Sequence, residues 1–313
     1  MAKYILNKMG LAIFILLGIT VLTFLLGVLS PGDPAEIALS ANGNYSPTQQ
    51  ELDTVREQMG LNTPYYEQYI NWVFKAVRGN LGTSYRTKNL VSDDIAIRLP
   101  ITIAISGVSI IITSLIGILL GILMSIKKNG AGQKLGHIFS MATISLPSFW
   151  LAIILIFIFS ETLNLLPTSG QRTWVHFILP IFVLSIGSIG MVTRLMHSSL
   201  DTQMRRHYTL VATSKGFERR QVITRHALKN ALVPVITLLG NNFGSILGGS
   251  AIIESVFAIN GLGKYALDSI SYRDYPALQG YVLITGFTFV IINLLLDLIY
   301  VVINPQIQFN KKN

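Results

Sequence analysis

The chain has 313 residues, of which 51% are hydrophobic and only 12% are charged, and its mean hydropathy is +0.54. This composition excludes an ordinary soluble globular domain and indicates a membrane protein. The formal net charge is +9, and the lack of cysteine excludes disulfides and thiolate metal sites.

Six apolar stretches predict membrane-spanning helices, because about 20 helical residues are needed to cross ~30 Å of hydrocarbon. The fourth stretch is the shortest, which is acceptable because a helix inside a bundle need not match the bilayer thickness. The predicted spans are residues 9–29, 101–126, 135–159, 177–192, 231–253 and 277–303. We therefore predict an all-α, polytopic membrane protein that forms one domain over residues 1–313.

The first helix is expected to stay as an anchor, because its apolar run is longer than that of a secretory signal and no cleavage site precedes Pro31. The extracytoplasmic segment 30–100 follows, with two short amphipathic helices predicted at 51–59 and 64–77. The second of these carries an aromatic face, made by Tyr65, Tyr66, Tyr69 and Trp72. Such a face suits either the membrane interface or a protein partner.

The distribution of Lys and Arg predicts the orientation, since cytoplasmic loops are enriched in both residues. Fifteen of the 24 Lys and Arg residues lie on the side of the termini, the loop 127–134 and the segment 194–230. Both termini are therefore predicted to be cytoplasmic. This topology accounts for the positive net charge, and nucleic-acid binding is not predicted.

The cytoplasmic segment 194–230 carries the strongest functional signal. It holds eight Lys and Arg residues against two acids, with apolar residues between them. Positive-inside topology alone places cations in such a loop, and a docking surface for a cytoplasmic partner is the alternative. Gly216 permits a sharp helix end, and Arg219 and Arg220 follow on a short amphipathic turn.

No catalytic constellation is recognisable. The five histidines are scattered, and most of them lie near predicted cytoplasmic ends, where they need be only polar caps. Neither His-Glu-x-x-His nor Gly-x-Ser-x-Gly occurs. The stretch closest to a P-loop, 261–265, has Ala258 where the first Gly belongs and Tyr265 in place of the Ser or Thr. We predict a non-enzymatic chain without a cofactor or metal site, so that any ATP is hydrolysed by another subunit.

The residue order within 194–230 resembles the cytoplasmic coupling motif of the permeases of binding-protein-dependent ABC importers. In that motif an Ala-x-x-x-Gly turn, here 212–216, precedes a short helix and a proline that opens the next membrane helix. Pro234 stands eighteen residues after Gly216, which is the pattern of the dipeptide, oligopeptide and nickel branch. The resemblance implies an ATPase-coupling role for eight residues: Tyr208, Ala212, Lys215, Gly216, Phe217, Arg219, Arg220 and Arg225.

Five further motifs, in the order of that branch, extend the resemblance along the chain. They are Pro-Gly-Asp-Pro at 31–34, Gly-Asn-Leu-Gly-Thr-Ser at 79–84, Ser-Leu-Pro-Ser-Phe-Trp at 145–150, Leu-Pro-Thr-Ser-Gly at 166–170 and Glu-Ser-Val-Phe-Ala-Ile-Asn-Gly-Leu-Gly at 254–263. Asn260 stands where proline is usual, which is expected to loosen that turn. The N-terminal layout is similar to the first of the two permease subunits that these systems use.

The resemblance implies a type I ABC importer permease in the bacterial cytoplasmic membrane. Its expected partners are a second permease subunit, two cytoplasmic ATPase subunits and an extracytoplasmic solute-binding protein. Peptides are the first choice of substrate, and nickel or a metal–chelate complex is the alternative. The lack of Cys and near absence of His in the spans argue against a bare soft metal.

Two groups of residues in the predicted spans allow two interpretations each. Gly240, Gly244 and Gly248 recur every four residues, which favours either close helix packing or a surface along the translocation path. In the last span, four polar residues share one helical face, at Asn293, Asp297, Tyr300 and Asn304. Because an intramembrane carboxylate must face protein or water, this face belongs either to a hydrogen-bonded network or to the path.

Two rival functions come from other classes. A proton-driven secondary transporter would use Asp297 as a proton relay, but a single acid and the lack of a detectable internal repeat argue against it. A membrane scaffold or receptor would not need the ordered turn, short helix and proline between Gly216 and Pro234.

Overall fold

The computed structural model describes the backbone of residues 2–40, 47–126 and 130–303, and side chains for residues 9–40, 47–126, 130–248 and 250–295. Within these ranges the regular structure is helical, with one isolated antiparallel bridge between Thr83 and Leu90. The fold groups into two compact units. These are Met1–Thr102 with Asn260–Val290, and Ile103–Ile259 with Ile291–Asn313.

The first unit begins with four helices and also includes α12 and the starts of two long helices. The helices are α1 (Ala2–Val28), α2 (Pro34–Ser40), α3 (Gln49–Met59), α4 (Tyr65–Val77), the start of α5 (Val91–Ile126), α12 (Leu262–Ser271) and the start of α13 (Tyr275–Ile303). The two short helices predicted at 51–59 and 64–77 are present as α3 and α4. Thr48 and Glu51 form a capping box that starts α3, and Gly60 ends it with φ of 72°.

The helix α5 begins at Val91, whereas the sequence predicts a start at residue 101 after Pro100. Asp93 and Asp94 lie in its first turn, where carboxylates stabilise the positive end of the helix dipole. Asp94 also forms an ion pair with Arg98 at 2.7 Å. Pro100 is accommodated inside α5, so the last ten residues of the predicted outer segment are helical.

The motif at 79–84 is held by Asp274, which lies between α12 and α13 and is 3% exposed. The Asp274 carboxylate accepts hydrogen bonds from Ser84 Oγ and from the backbone N–H of Tyr85, the latter at 3.0 Å. Burial and then the charge of Asp274 raise the pKa of Tyr85, so its phenol stays protonated. The buried carboxylate therefore ties this loop to the α12–α13 corner.

The second unit contains the rest of α5 and the helices that surround the predicted coupling segment. They are α6 (Ala131–Ser145), α7 (Ser148–Leu155), α8 (Ile178–Met204), α9 (His207–Ser214), α10 (Arg219–Val222) and α11 (Leu228–Val256). A π-helical stretch, Ile156–Thr162, continues α7, and another, Ile223–Ala227, joins α10 to α11.

The third predicted span, 135–159, is not one straight helix. α6 and the continuous stretch Ser148–Thr162 meet at an angle of 99°. Leu146 is extended, with φ of −82° and ψ of 124°, because a residue that precedes proline avoids the helical conformation. Pro147 itself lacks the N–H that would continue the helix. The motif at 145–150 therefore marks a corner.

The fourth predicted span, 177–192, is also corrected, since α8 continues to Met204. The prediction ended the helix before the charged Arg194, but that side chain is exposed. Val192, Met196 and Leu200 recur every four residues and are fully buried, so one face of α8 stays in the core past Arg194. The segment 194–230 is consequently helical at its start.

Glycine allows α5 and α8 to approach closely. A Cβ at Gly121 would lie 2.5 Å from the Met196 Cβ and 2.9 Å from the Thr193 carbonyl oxygen. Met196 belongs to a buried cluster that also contains Ile223 and Ala227. This core supports the short helices that connect α8 to α11.

Over the described residues, five helical stretches are long and apolar enough to cross a membrane, and the bent α6–α7 pair brings the number to as many as six. The five are Met9–Val28, Val91–Ile126, Trp174–Met204, Arg219–Gly248 and Tyr275–Leu295. The helical membrane class predicted from the apolar stretches is confirmed.

Candidate functional site

The short helix α9 is held firmly at its first turn. Thr209 is fully buried, and its hydroxyl lies 2.8 Å from the Gln203 carbonyl oxygen and 2.7 Å from that of Arg206. Tyr208 donates a hydrogen bond to Gln203 Oε1 at 2.8 Å and accepts one from Asn230 Nδ2 at 3.1 Å. These bonds fix α9 to the end of α8 and to the start of α11.

The other side of α9 is an exposed apolar face. Leu210 and Val211 are 50% and 55% exposed, whereas Ala212 is buried. Lys215 beside them is exposed. We call Tyr208, Leu210, Val211, Lys215 and Gly216 the α9 surface. Exposed aliphatic side chains next to a cation, on a helix that lies between two candidate spans, are typical of a protein-docking surface.

Leu210 and Val211 were not among the coupling residues that the motif implies. Their signal in the sequence is weak, because two adjacent apolar residues in a basic segment fit a buried helix face equally well. Their exposure depends on which side of α9 is covered by α8 and α11.

The helix α9 ends at Gly216 in the left-handed conformation, with φ of 87°. The Gly216 N–H donates to the Thr213 carbonyl at 3.0 Å, and the Phe217 N–H donates to that of Ala212 at 3.4 Å. This pair of bonds is the Schellman pattern of helix ends. A Cβ at Gly216 would meet no atom of the described residues within 4 Å, so the positive φ, and not close packing against them, is what calls for glycine here.

Arg219 and Arg220 are placed differently, although the motif implies the same role for both. Arg219 Nε donates to the Ser125 carbonyl at 2.8 Å, and its Nη2 lies 3.9 Å from Asp201 Oδ1. Arg219 thus braces α10 against the end of α5 and against α8. Arg220 is exposed, so of the two it is the cation that a partner can reach.

The remaining predicted coupling residues flank α10. Phe217 is half-buried, and its ring packs edge-on against His226 with centroids 5.6 Å apart. Glu218 and Gln221 form a capping box at the start of α10. Arg225 is exposed in the π-helical stretch. The structure therefore brings the predicted set onto one compact corner, with Phe217 partly inside it.

A cleft of about 750 Å³ opens between α6 and the last turns of α8. Its charged lining residues are Arg194, Asp201, Arg205 and Arg206. His197 also lines the cleft but is largely buried, with Nδ1 2.9 Å from Ser125 Oγ and Nε2 3.1 Å from the Gln133 amide nitrogen. The single hydroxyl hydrogen of Ser125 is donated to the Gly121 carbonyl oxygen, so Ser125 Oγ accepts from His197 Nδ1–H. His197 Nε2 is then the acceptor for the Gln133 amide. His197 is thus an internal link and not the polar cap that the sequence predicts.

One side of α11 is exposed along its whole length and is rich in polar and small residues. The members of this stripe are Pro234, Thr237, Asn241, Ser245, Gly248, Ile252 and Ser255. Their spacings of three and four residues keep them on one helical face. At 1.5 Å per residue the stripe is about 30 Å long, which is the thickness of the hydrocarbon core. We call this set the α11 stripe.

Of the three glycines in the predicted series, only Gly248 belongs to the α11 stripe. Gly240 is buried and Gly244 is half-buried, whereas Gly248 is exposed. A Cβ at Gly248 would meet nothing within 4 Å. The series therefore turns from the interior of the unit to its surface along α11.

The polar face predicted in the last span is described only in part. Asn293 is half-buried in α13. The side chains of Asp297 and Tyr300, and the whole of Asn304, lie outside the described residues.

No nucleotide or metal site emerges from the described residues. The stretch 261–265 leads into α12 and buries Leu262, Gly263 and Tyr265, so it does not form a phosphate-binding loop. Among the described side chains, no group of three or more His, Asp or Glu residues is arranged to hold a metal ion.

Two family models match successive parts of the chain. The model for the binding-protein-dependent transport system inner membrane component matches residues 117–309. The model for the N-terminal part of such a membrane component matches residues 1–106.

Related proteins match over nearly the full length. The glutathione transport system permease protein GsiC of Pectobacterium atrosepticum is 35% identical over 309 residues, 99% of this chain and 100% of its own. GsiC of Salmonella typhimurium is 36% identical with the same coverage. A solved structure of the MetNI methionine ABC transporter in inward-facing conformations aligns with a TM-score of 0.55 at 18% identity, over 67% of this chain and 96% of that chain.

Proposed function

Because this chain belongs to the family of binding-protein-dependent transport system inner membrane components, we propose that it is the permease subunit of an importer of short peptides. It is an all-α, multi-pass inner membrane protein with the fold of a type I importer permease, and it is not an enzyme. Its partners are a second permease subunit, two cytoplasmic ATPase subunits and an external solute-binding protein. The relatives that carry glutathione in their names support a short peptide as the substrate.

The exposure of the α9 surface is the main observation that supports this proposal. It presents Leu210 and Val211 to the outside from the middle of a helix whose first turn is bonded to α8 and α11. An ATPase subunit that docks there displaces α9 when it binds ATP and closes on the second ATPase. Since α9 is fixed to two candidate spans, the displacement passes to them, and the permease pair switches from inward-open to outward-open.

The α11 stripe supports a second contact, with the partner permease and the translocation path. Amide and hydroxyl groups such as those of Asn241 and Ser245 are unfavourable in hydrocarbon. A second permease subunit and the water-filled path between the two subunits provide a better environment for a stripe of this length. There Asn241 and Ser245 offer hydrogen bonds to the backbone of a peptide.

The proposal also covers orientation and cofactors. Both termini and the α9 surface face the cytoplasm, in agreement with the bias of Lys and Arg toward that side. No cofactor is assigned to this chain. Import of nickel or a metal–chelate complex by the same architecture is the alternative, because the spacing between Gly216 and Pro234 is shared by both substrate classes of the resembled branch.

Reconstituted transport tests the function. The protein is purified from native membranes, the co-purifying chains are identified, and the complex is placed in vesicles with its binding protein. We expect ATPase subunits among those chains and uptake of glutathione or dipeptides only when ATP is supplied. Uptake driven by a proton gradient without ATP would overturn the proposal, and ATP-driven uptake of nickel alone would select the alternative substrate.

A paired variant tests the α9 surface in the same assay. Leu210→Asp/Val211→Asp should leave the protein in the membrane but abolish ATP-dependent uptake, because charged groups replace the apolar contact. Thr224→Asp, at an exposed position of the same segment, should transport normally. Normal uptake by the Leu210→Asp/Val211→Asp variant as well as by Thr224→Asp would show that α9 is not part of the ATPase contact.

A further inference from the structure

The helix α4 packs one of its faces against α1. The ring of Tyr69 lies 5.4 Å from that of Phe24 in an edge-on arrangement, and the Tyr69 hydroxyl is 2.9 Å from Thr20 Oγ1. Trp72 adds a tilted ring contact with Phe24 at 6.3 Å. Two aromatic residues of the face predicted at 65–72 are thus half-buried against α1.

These contacts set the depth of α4. The candidate span in α1 ends at Val28, and Phe24 and Thr20 precede that residue by four and eight positions. At 1.5 Å per residue they lie about 6 and 12 Å before the end of the span. The helix α4 therefore lies beside the last turns of the candidate span in α1, near the end of that span.

The two remaining faces of α4 have opposite chemistry. Tyr66, Ile70, Phe74 and Val77 are spaced by four, four and three residues and are 63%, 48%, 60% and 82% exposed. The next face carries Glu67, Asn71, Lys75 and Arg78 with the same spacing. One face is thus apolar and uncovered, and its neighbour is polar, which is the pattern of a helix lying in a membrane interface.

We propose that α4 is an interfacial helix that lies in the plane of the bilayer and inserts Tyr66, Ile70, Phe74 and Val77 among the lipids at the end of α1. On α1 itself, Leu22 and Leu26 are also apolar and uncovered, at 64% and 48% exposed. Lys75 and Arg78 then lie at the level of the lipid phosphates, which cations favour. The inference depends on α1 spanning the membrane and not on the transported substrate.

Spin labels measure the environment of each face directly. The native chain has no cysteine, so single cysteines at Ile70 and Phe74 can be labelled with a nitroxide in the complete complex in lipid vesicles. Matched labels at Asn71 and Lys75 report the polar face of the same helix. Leu22→Cys on α1 serves as the lipid-exposed reference.

For each spin label we measure two collision rates, one with oxygen, which partitions into lipid, and one with a water-soluble nickel chelate. We expect Ile70→Cys and Phe74→Cys to match the Leu22→Cys reference, with an oxygen-to-nickel collision ratio several-fold above that at positions 71 and 75. A high nickel collision rate at 70 and 74 would place the face in water. Low rates for both reagents would mean that a protein covers it. Either outcome overturns the proposal.

Discussion

At Gly216, a side chain could be harmful because it strains the backbone or because it collides with a neighbour. The φ of 87° indicates backbone strain, whereas the open space around the residue argues against a collision with the described residues. A β-branched residue resists the left-handed conformation, which costs about 1–2 kcal/mol. Among the described residues no atom blocks a Cβ there, so we attribute steric obstruction to a docked partner.

We therefore predict that Gly216→Val loses ATP-dependent uptake, while Gly216→Asn, which tolerates positive φ, keeps most of it. Uptake in reconstituted vesicles is the measurement, with membrane insertion checked for both variants. Wild-type uptake by Gly216→Val would contradict a requirement for this helix end. Equal loss in both variants would show that the partner contact, and not the backbone, excludes side chains.

Arg219 and Arg220 should respond differently to charge reversal. Arg219→Glu removes the bond to the Ser125 carbonyl and places like charge near Asp201, so we expect a lower thermal midpoint of the purified protein. Arg220→Glu leaves internal bonds intact and should reduce substrate-stimulated ATP hydrolysis without changing that midpoint. Single neutralisation of Arg220 should have a small effect, since exposed ion pairs contribute less than about 1 kcal/mol. Undiminished stimulation in a correctly inserted Arg220→Glu protein would leave this cation with a topological role only.

At the scale of elements, the contact between α5 and α8 depends on a missing side chain. A methyl group at Gly121 would overlap the Met196 Cβ and the Thr193 carbonyl oxygen, neither of which is the flexible end of a side chain. Met196 is itself fully buried in a cluster of apolar residues, and close-packed interiors accommodate added volume poorly. The same contact supports α9 and α10, because Ile223 and Ala227 belong to that cluster.

Gly121→Ala is accordingly predicted to destabilise the protein by about 1–3 kcal/mol, as overpacked cores do. Gly107→Ala in the same helix is the matched control, since a Cβ there meets nothing within 4 Å, and alanine favours a helix over glycine by roughly 0.5–1 kcal/mol. Thermal unfolding in detergent compares the two. A similar midpoint for both would mean that α5 and α8 move apart at little cost.

At the scale of the whole molecule, sidedness is tested with single cysteines. Ser84 would be a poor reporter of the outer segment, because it is 1% exposed and bonded to Asp274. Gln58 and Ser214 are both exposed. We predict that an impermeant maleimide labels Gln58→Cys in intact spheroplasts and labels Ser214→Cys only after lysis. The reverse pattern would place the termini outside.

The sequence alone determined the membrane class, the approximate spans and the order of the coupling motif. These features depend on short stretches of sequence. The length of an apolar run decides whether a helix can cross the membrane. The helix end at Gly216 needs a residue that adopts positive φ, and Pro234 suits the start of a helix. The short helices α3 and α4 were likewise predictable, because the Thr48 capping box and Gly60 are local signals as well.

Only the tertiary structure decided which faces are covered. Arg219 turns inward because Ser125, 94 residues away, offers its carbonyl. The helix α8 extends past Arg194 because Met196 and Leu200 are buried by distant partners, and the exposure of Leu210 and of the α11 stripe follows from what packs on the opposite sides. Periodicity reports a pattern along one helix, whereas burial depends on side chains brought together from remote parts of the chain.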